Sequence, residues 1–147
     1  MHSIQDVNNA TPLLQVENLQ ISSHQVLVQQ LSFELSAGQT LAIVGESGSG
    51  KSISSLAILG LLPRNLKVQG RAVLDGQNLL TLSQLQLRQT RGKKIAMIFQ
   101  EPMTALNPLM RIGAQIAEVF EAHDRLSPPE RSARALELLK LVGIPNP

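Results

Sequence analysis

Polar and apolar positions alternate in short runs over the first third of the chain and gather into longer, one-sided runs toward its end. Residues 1–12, MHSIQDVNNATP, are polar and aperiodic, and they read as a loose leader closed by Pro12. Leu13–Ile21 and Val26–Leu35 then alternate as strands do. In the second of these, Leu31, Phe33 and Leu35 share one face while Ser32 and Glu34 share the other. After the turn pair Ala37-Gly38 comes Thr40-Leu41-Ala42-Ile43-Val44, an almost unbroken apolar run that predicts a strand buried on both faces, as parallel strands are. Ser52–Leu62 is long enough for three helical turns and stops before Pro63.

Strand character returns at Lys67–Leu74, followed by the tight-turn pair Asp75-Gly76. Leu82–Gln89 predicts a short helix ended by Arg91-Gly92, and Lys94–Phe99 predicts a second buried strand. Ile112, Ile116, Val119 and Phe120 fall at i, i+4, i+7 and i+8, one face of a helix. Ser127-Pro128-Pro129-Glu130 supplies an N-cap, a proline at the first helical position and a reciprocal Glu. A last helix should therefore run to about Val142, with Gly143 as its stop. Strands and helices mix in one chain, which predicts an α/β fold, and no internal repeat is visible.

Composition narrows the function classes. A chain of 147 residues, 43% hydrophobic and 16% charged, fits one domain or one lobe of a larger one, with a packed core. Having no Cys, it holds neither disulfides nor thiolate metal sites. No apolar run approaches the roughly 18 residues of a spanning helix, and the first twenty residues lack the pattern of a secretory signal, so a soluble cytoplasmic chain is the default reading. The formal charge of +2 arises from scattered Lys and Arg and points to no partner. With three Phe and no Trp or Tyr, the chain lacks the stacking platforms of single-strand nucleic-acid binders, and no nucleic-acid partner is expected.

Gly45-Glu46-Ser47-Gly48-Ser49-Gly50-Lys51-Ser52 matches G-x-x-x-x-G-K-[ST] at every fixed position. Glycines allow positive φ and let successive N–H groups converge on phosphate oxygens. Lys51 brings a mobile cation to the β- and γ-phosphates, and the Ser52 hydroxyl is a hard oxygen ligand suited to Mg²⁺. A following helix aims its positive end at the same point. The octet follows a strand pattern and opens a helical one, the context that separates a phosphate cradle from a chance glycine-rich turn. Glu46 is expected to turn its side chain away from the polyphosphate and to contribute only a backbone N–H.

About fifty residues on, Lys94–Phe99 leads into Gln100-Glu101-Pro102-Met103-Thr104-Ala105-Leu106-Asn107-Pro108, where two prolines forbid a continuing strand or helix. A lone Gln there is usually a solvated terminus. With a phosphate loop upstream, its neutral amide can offer oxygen to Mg²⁺ and N–H₂ to an attacking water. Together, GESGSGKS and IAMIFQEPMTALNP resemble the ATP-binding subunits of ABC transporters, and specifically the oligopeptide, dipeptide and nickel importer group. ILGLLP at 58–63, LDGQNLL at 74–80, IGAQIAEVFEAH and ALELLKLVGIP support the likeness, which runs from about Leu13 to Pro147.

The resemblance implies the P-loop NTPase core of an ABC ATPase, with an N-terminal antiparallel β subdomain and the start of a helical subdomain, truncated. Residues 13–147 would then be a partial nucleotide-binding domain. It implies ATP and Mg²⁺ as cofactors, held by residues 45–52, with Ser52 and Gln100 on the metal and Lys51 and Gln100 as the catalytic contributions. Gln100 would be the Q-loop glutamine, and the loop behind it would face the permease. The implied partners are transmembrane permease subunits, a second ATPase domain as homo- or heterodimer and, indirectly, an external solute-binding protein. The place implied is the cytoplasmic face of the inner membrane, as a peripheral subunit.

Two departures stand out. Where the family carries an aromatic residue that stacks on adenine, this segment reads Gln20-Ile21-Ser22-Ser23, so Ser23 stands in the position of the ring. Such stacking is worth roughly 1–3 kcal/mol. Its loss weakens adenine selectivity without abolishing phosphate binding. His24 can stack in its place, although a surface histidine is the favoured reading. The chain also contains no LSGGQ, no apolar run ending in Asp-Glu and no switch histidine; His2, His24 and His123 lie in other contexts, and His123 reads as a solvated helix end. The 147 residues alone are therefore expected to bind nucleotide weakly and to hydrolyse it negligibly, and the apolar faces of Lys94–Phe99 and its neighbours are expected to be exposed. The alternative function is a non-catalytic module that binds nucleotide or permease without turnover. The reading frame after the Pro147 codon separates the two. A GTPase is disfavoured because Asn-Lys-x-Asp is missing.

Overall fold

A computed structural model describes residues 11–100 and 106–147. The expected leader lies outside the described residues apart from Thr11 and Pro12. The chain forms two compact units, residues 1–87 and 88–147. In the first, β1 (Leu14–Ser22), β2 (Val26–Leu35), β3 (Lys67–Leu74) and β4 (Gln77–Asn78) make one antiparallel sheet in the order β2-β1-β3-β4. The 31-residue connection from β2 to β3 carries the glycine-rich octet and helix α1 (Lys51–Ile58).

The core of this unit is the inner face of the sheet, with Val16, Leu19, Ile21 and Leu79 fully buried, together with Ala72 and Leu74 from β3 and Ala57 and Ile58 from α1. Val16 and Leu19 are three apart, one more than alternation allows. The extra residue is Asn18, at φ 48°, in a break of the ladder opposite Gly70 at φ 98°. A Cβ on Gly70 would lie 2.5 Å from the Asn18 carbonyl oxygen and 2.6 Å from that of Glu17. On the other side the Asn18 N–H donates to Ser32 Oγ at 2.8 Å. Gln30, at φ 51°, makes the matching break in β2, so that Val28 and Leu31 both face inward. Asp75 and Gly76, both at positive φ, form the two-residue turn into β4.

Helix α1 ends earlier than Pro63 would require. Gly60, at φ 64°, donates to Ala57 O and Leu61 N–H to Leu56 O, a Schellman closure. A single 3₁₀ turn (Leu79–Thr81) leads to α2 (Gln84–Thr90).

In the second unit, α3 (Ile112–His123) packs against α4 (Pro128–Leu141). Ser127 opens α4 with the anticipated capping box, its N–H donating to Glu130 Oε2 at 2.7 Å, and Gly143 closes it with Ile144 N–H on Leu139 O. The apolar face of α3 is only partly covered: Ile112 and Val119 are each 52% exposed, while Ile116 and Phe120 are half-buried. Arg131 Nη1 reaches Glu121 Oε2 at 2.6 Å between the two helices.

Two expected strands do not form. Thr40–Val44 has no regular structure, and Lys94–Phe99 contributes only one isolated bridge, Arg91 to Ile95. A parallel strand is stable when ladders flank it, and no described strand lies beside either segment. Their side chains are accordingly open to solvent, Val44 at 89%, Ile98 at 93% and Phe99 at 48%, the exposure anticipated for Lys94–Phe99 and its neighbours. Among the described residues no helix is long and apolar enough to cross a membrane.

Candidate functional site

The residues Gly45 to Ser52 form a loop that closes on itself at the start of α1. Gly48 and Gly50 take φ of 81° and 92°, conformations that L side chains rarely adopt. Gly50 is held by packing as well, since a Cβ there would lie 2.6 Å from Val28 Cγ2 on β2. At Gly45 a Cβ would meet Ser49 Oγ at 2.7 Å. The Ser49 N–H donates to Glu46 O at 3.2 Å, which tightens the turn. Buried Ser54 anchors the helix start from below, with its N–H and its hydroxyl both donating to Gly50 O at 2.9 and 2.8 Å.

The Lys51 ammonium lies within this loop. It donates to Gly45 O and Glu46 O at 2.6 Å each and to Ser49 Oγ at 3.1 Å. All three acceptors are neutral oxygens, so the positive charge is held in place but not neutralised, as an anion site requires. Ser52 is exposed in the first turn of α1, and Glu46 is exposed at the rim of the loop. Two glycines at positive φ, a cation among carbonyls and an exposed hydroxyl at a helix start fit a magnesium polyphosphate.

Of the predicted residues, Gly45 to Ser52 are brought together in the first unit. Gln100 lies in the second, exposed, after the open segment 96–99. Glu101–Ala105 lies outside the described residues. Ser23 and His24 are exposed at the tip of the β1–β2 hairpin, where the Ser23 N–H donates to Gln25 O at 2.9 Å. His123 does close α3, but it is half-buried: a Cβ on Gly92 would sit 3.1 Å from its Nε2. Gln115 was not anticipated. Its side chain accepts from Asn107 N–H at 2.9 Å and donates to Asn107 O at 2.9 Å and Met110 O at 3.0 Å, binding residues 107–110 to α3. The sequence offers no signal for that role beyond an amide on a half-buried helix face.

The ABC transporter family matches this chain over residues 28–147. The chain belongs to the ABC transporter family. Among curated proteins it is 46% identical over 144 residues to the oligopeptide transport ATP-binding protein OppD of Bacillus subtilis, covering 93% of this chain and 40% of that protein. It is 47% identical over 146 residues to the peptidoglycan transport ATP-binding protein YejF of Agrobacterium fabrum, covering 95% and 27%, and 45% identical over 141 residues to the dipeptide transport ATP-binding protein DppD of Lactococcus lactis, covering 91% and 40%. This ABC transporter chain thus spans less than half the length of each of these relatives. In fold it is similar to the ATP-binding cassette MJ0796, solved as a dimer in a post-hydrolysis state with ADP and Pi. That likeness has a TM-score of 0.72 at 23% identity, over 90% of this chain and 58% of that one.

Proposed function

We propose that this chain is the nucleotide-holding part of an ATP-binding subunit of an ABC importer, taking up peptides or similar small solutes at the expense of ATP. The observation that carries the reading is the Lys51 ammonium, held among the carbonyl oxygens of a glycine-rich loop at the head of α1. The relatives with transport names at 45–47% identity support the importer assignment.

Residues 45–50 would cradle the phosphates through backbone N–H groups, Lys51 would neutralise the β- and γ-oxygens, and Ser52 would ligate Mg²⁺. Gln100 is proposed as the amide that touches magnesium and water in the complete protein. When bound, the metal supplies charge stabilisation at the transferring phosphoryl group. The 147 residues would contribute the phosphate loop and Gln100 toward hydrolysis, so alone they should turn over ATP negligibly. The proposed partners are permease subunits, a second ATPase domain and an external solute-binding protein, with the subunit peripheral on the cytoplasmic face of the membrane.

Titration calorimetry of the chain with Mg-ATP, with and without Lys51→Ala, tests the reading. Saturable binding that weakens by about tenfold or more in the variant is the expected outcome, since a lost charge-assisted contact costs at least that much. Binding indifferent to the substitution would overturn the assignment.

A further inference from the structure

Of the thirteen Lys and Arg in this chain, four lie within seven residues, Arg88, Arg91, Lys93 and Lys94, and no acidic residue interrupts the sequence from Gly76 to Gln100. Arg88 stands in the last turn of α2, where a cation beside a helix C-terminus has an ordinary role. That effect fades within one turn, and Lys93 and Lys94 lie past the helix end. The loop that carries them is fixed by its own backbone. Thr90 O accepts from the N–H groups of Lys93, Lys94 and Ile95 at 3.3, 2.8 and 3.3 Å, and Gly92, at φ 75°, donates to Ile95 O at 2.9 Å. Arg88, Lys93 and Lys94 are exposed and Arg91 is half-buried, so the cations are presented from a shape that binding need not first order.

The chain that follows is apolar and open to solvent. Ile98, almost fully exposed, and Phe99, about half exposed, come four and five residues after Lys94. Five residues of extended chain reach at most about 18 Å, so cations and apolar side chains are close enough to meet one surface together. A nucleic acid answers only the cations. A bilayer containing anionic lipids answers both features, its headgroups meeting the cations and its acyl boundary the apolar pair. We infer that residues 88–99 form a docking surface for an anionic lipid bilayer. Each Lys or Arg brought to such a surface tightens binding by about fivefold, so the four together hold the chain where one alone does not. This surface shares no residue with the phosphate loop, and its failure would leave the nucleotide reading standing.

The test is sedimentation of the chain with vesicles of phosphatidylcholine, alone or mixed with phosphatidylglycerol. Binding should require phosphatidylglycerol, fall steeply as salt is raised, and weaken by at least about tenfold in Lys93→Ala/Lys94→Ala. Arg64→Ala/Lys67→Ala removes the same charge from exposed positions elsewhere and should leave binding nearly unchanged. Equal losses in the two double variants would overturn the inference, because net charge alone would then account for the binding. Tighter binding to duplex DNA than to the mixed vesicles, phosphate for phosphate, would assign the loop to nucleic acid instead. A second measurement needs no variant: amine acetylation of the wild type with and without mixed vesicles, mapped by peptide mass. Protection of Lys93 and Lys94 over the exposed Lys67 and Lys140 supports the inference, and uniform labelling of all four sinks it.

Discussion

Gly70 meets two demands at one position, a left-handed backbone and the absence of any atom where Cβ would stand. The groups it would strike, the carbonyl oxygens of Glu17 and Asn18, are backbone and cannot swing aside. Gly70→Ala should therefore cost at least about 3 kcal/mol, combining φ strain with overpacking. The expected observation is a large fall in the thermal midpoint relative to Gly38→Ala, where a Cβ has open space and only the φ penalty applies. Equal midpoints for the two variants would show that the break in β1 relaxes freely. The octet 45–52 was legible because every one of its fixed positions carries chemistry. Gly70 was not, because its requirement is set by a neighbouring strand 52 residues away in sequence.

At the scale of elements, helices announced themselves through their ends. Ser127 and Glu130 on one side and Gly143 on the other bracket α4 within a residue of the expected span, and β2 and β3 match their alternating runs end to end. Gly60 closed α1 ahead of the proline that sequence reasoning relied on. The runs Thr40–Val44 and Lys94–Phe99 misled for a physical reason: continuous apolar character reports that a segment needs cover on both faces, not that the cover is at hand. The capping box also gives α4 a pH dependence. Hydrogen bonds from the Ser127 hydroxyl and N–H hold the Glu130 carboxyl below its ordinary value of 4.5. A lowered carboxyl contributes stability that is present above the unfolded pKa and lost as pH falls through the folded one. Helix content should thus decline on acidification from about pH 5 downward. Glu130→Gln should flatten that decline in circular dichroism, whereas an identical acid profile in the variant would show that the box contributes nothing.

The whole molecule combines an antiparallel sheet with a well-buried inner face and apolar segments that lie in water. Ile98, almost fully exposed, makes no contribution to a core in this chain. Ile98→Lys should therefore change stability by no more than about 0.5 kcal/mol, while lowering self-association measured by light scattering at high concentration. A large loss of stability in the variant would mean that Ile98 is covered in solution. The mixture of strands and helices and the glycine-rich turn at the head of α1 could be read from residue pattern alone. The exposure of Lys94–Phe99 did not follow from its apolar pattern, which predicts burial, but from the lack of flanking strands.

The Gln115 amide gives residues 107–110 a mechanical character. Its bonds to both the N–H and the carbonyl of Asn107, and to the carbonyl of Met110, leave that stretch little freedom to bend independently of α3. One amide side chain thus stitches the start of the helix to the chain that enters it, so Gln115→Ala would release Asn107 and Met110 together.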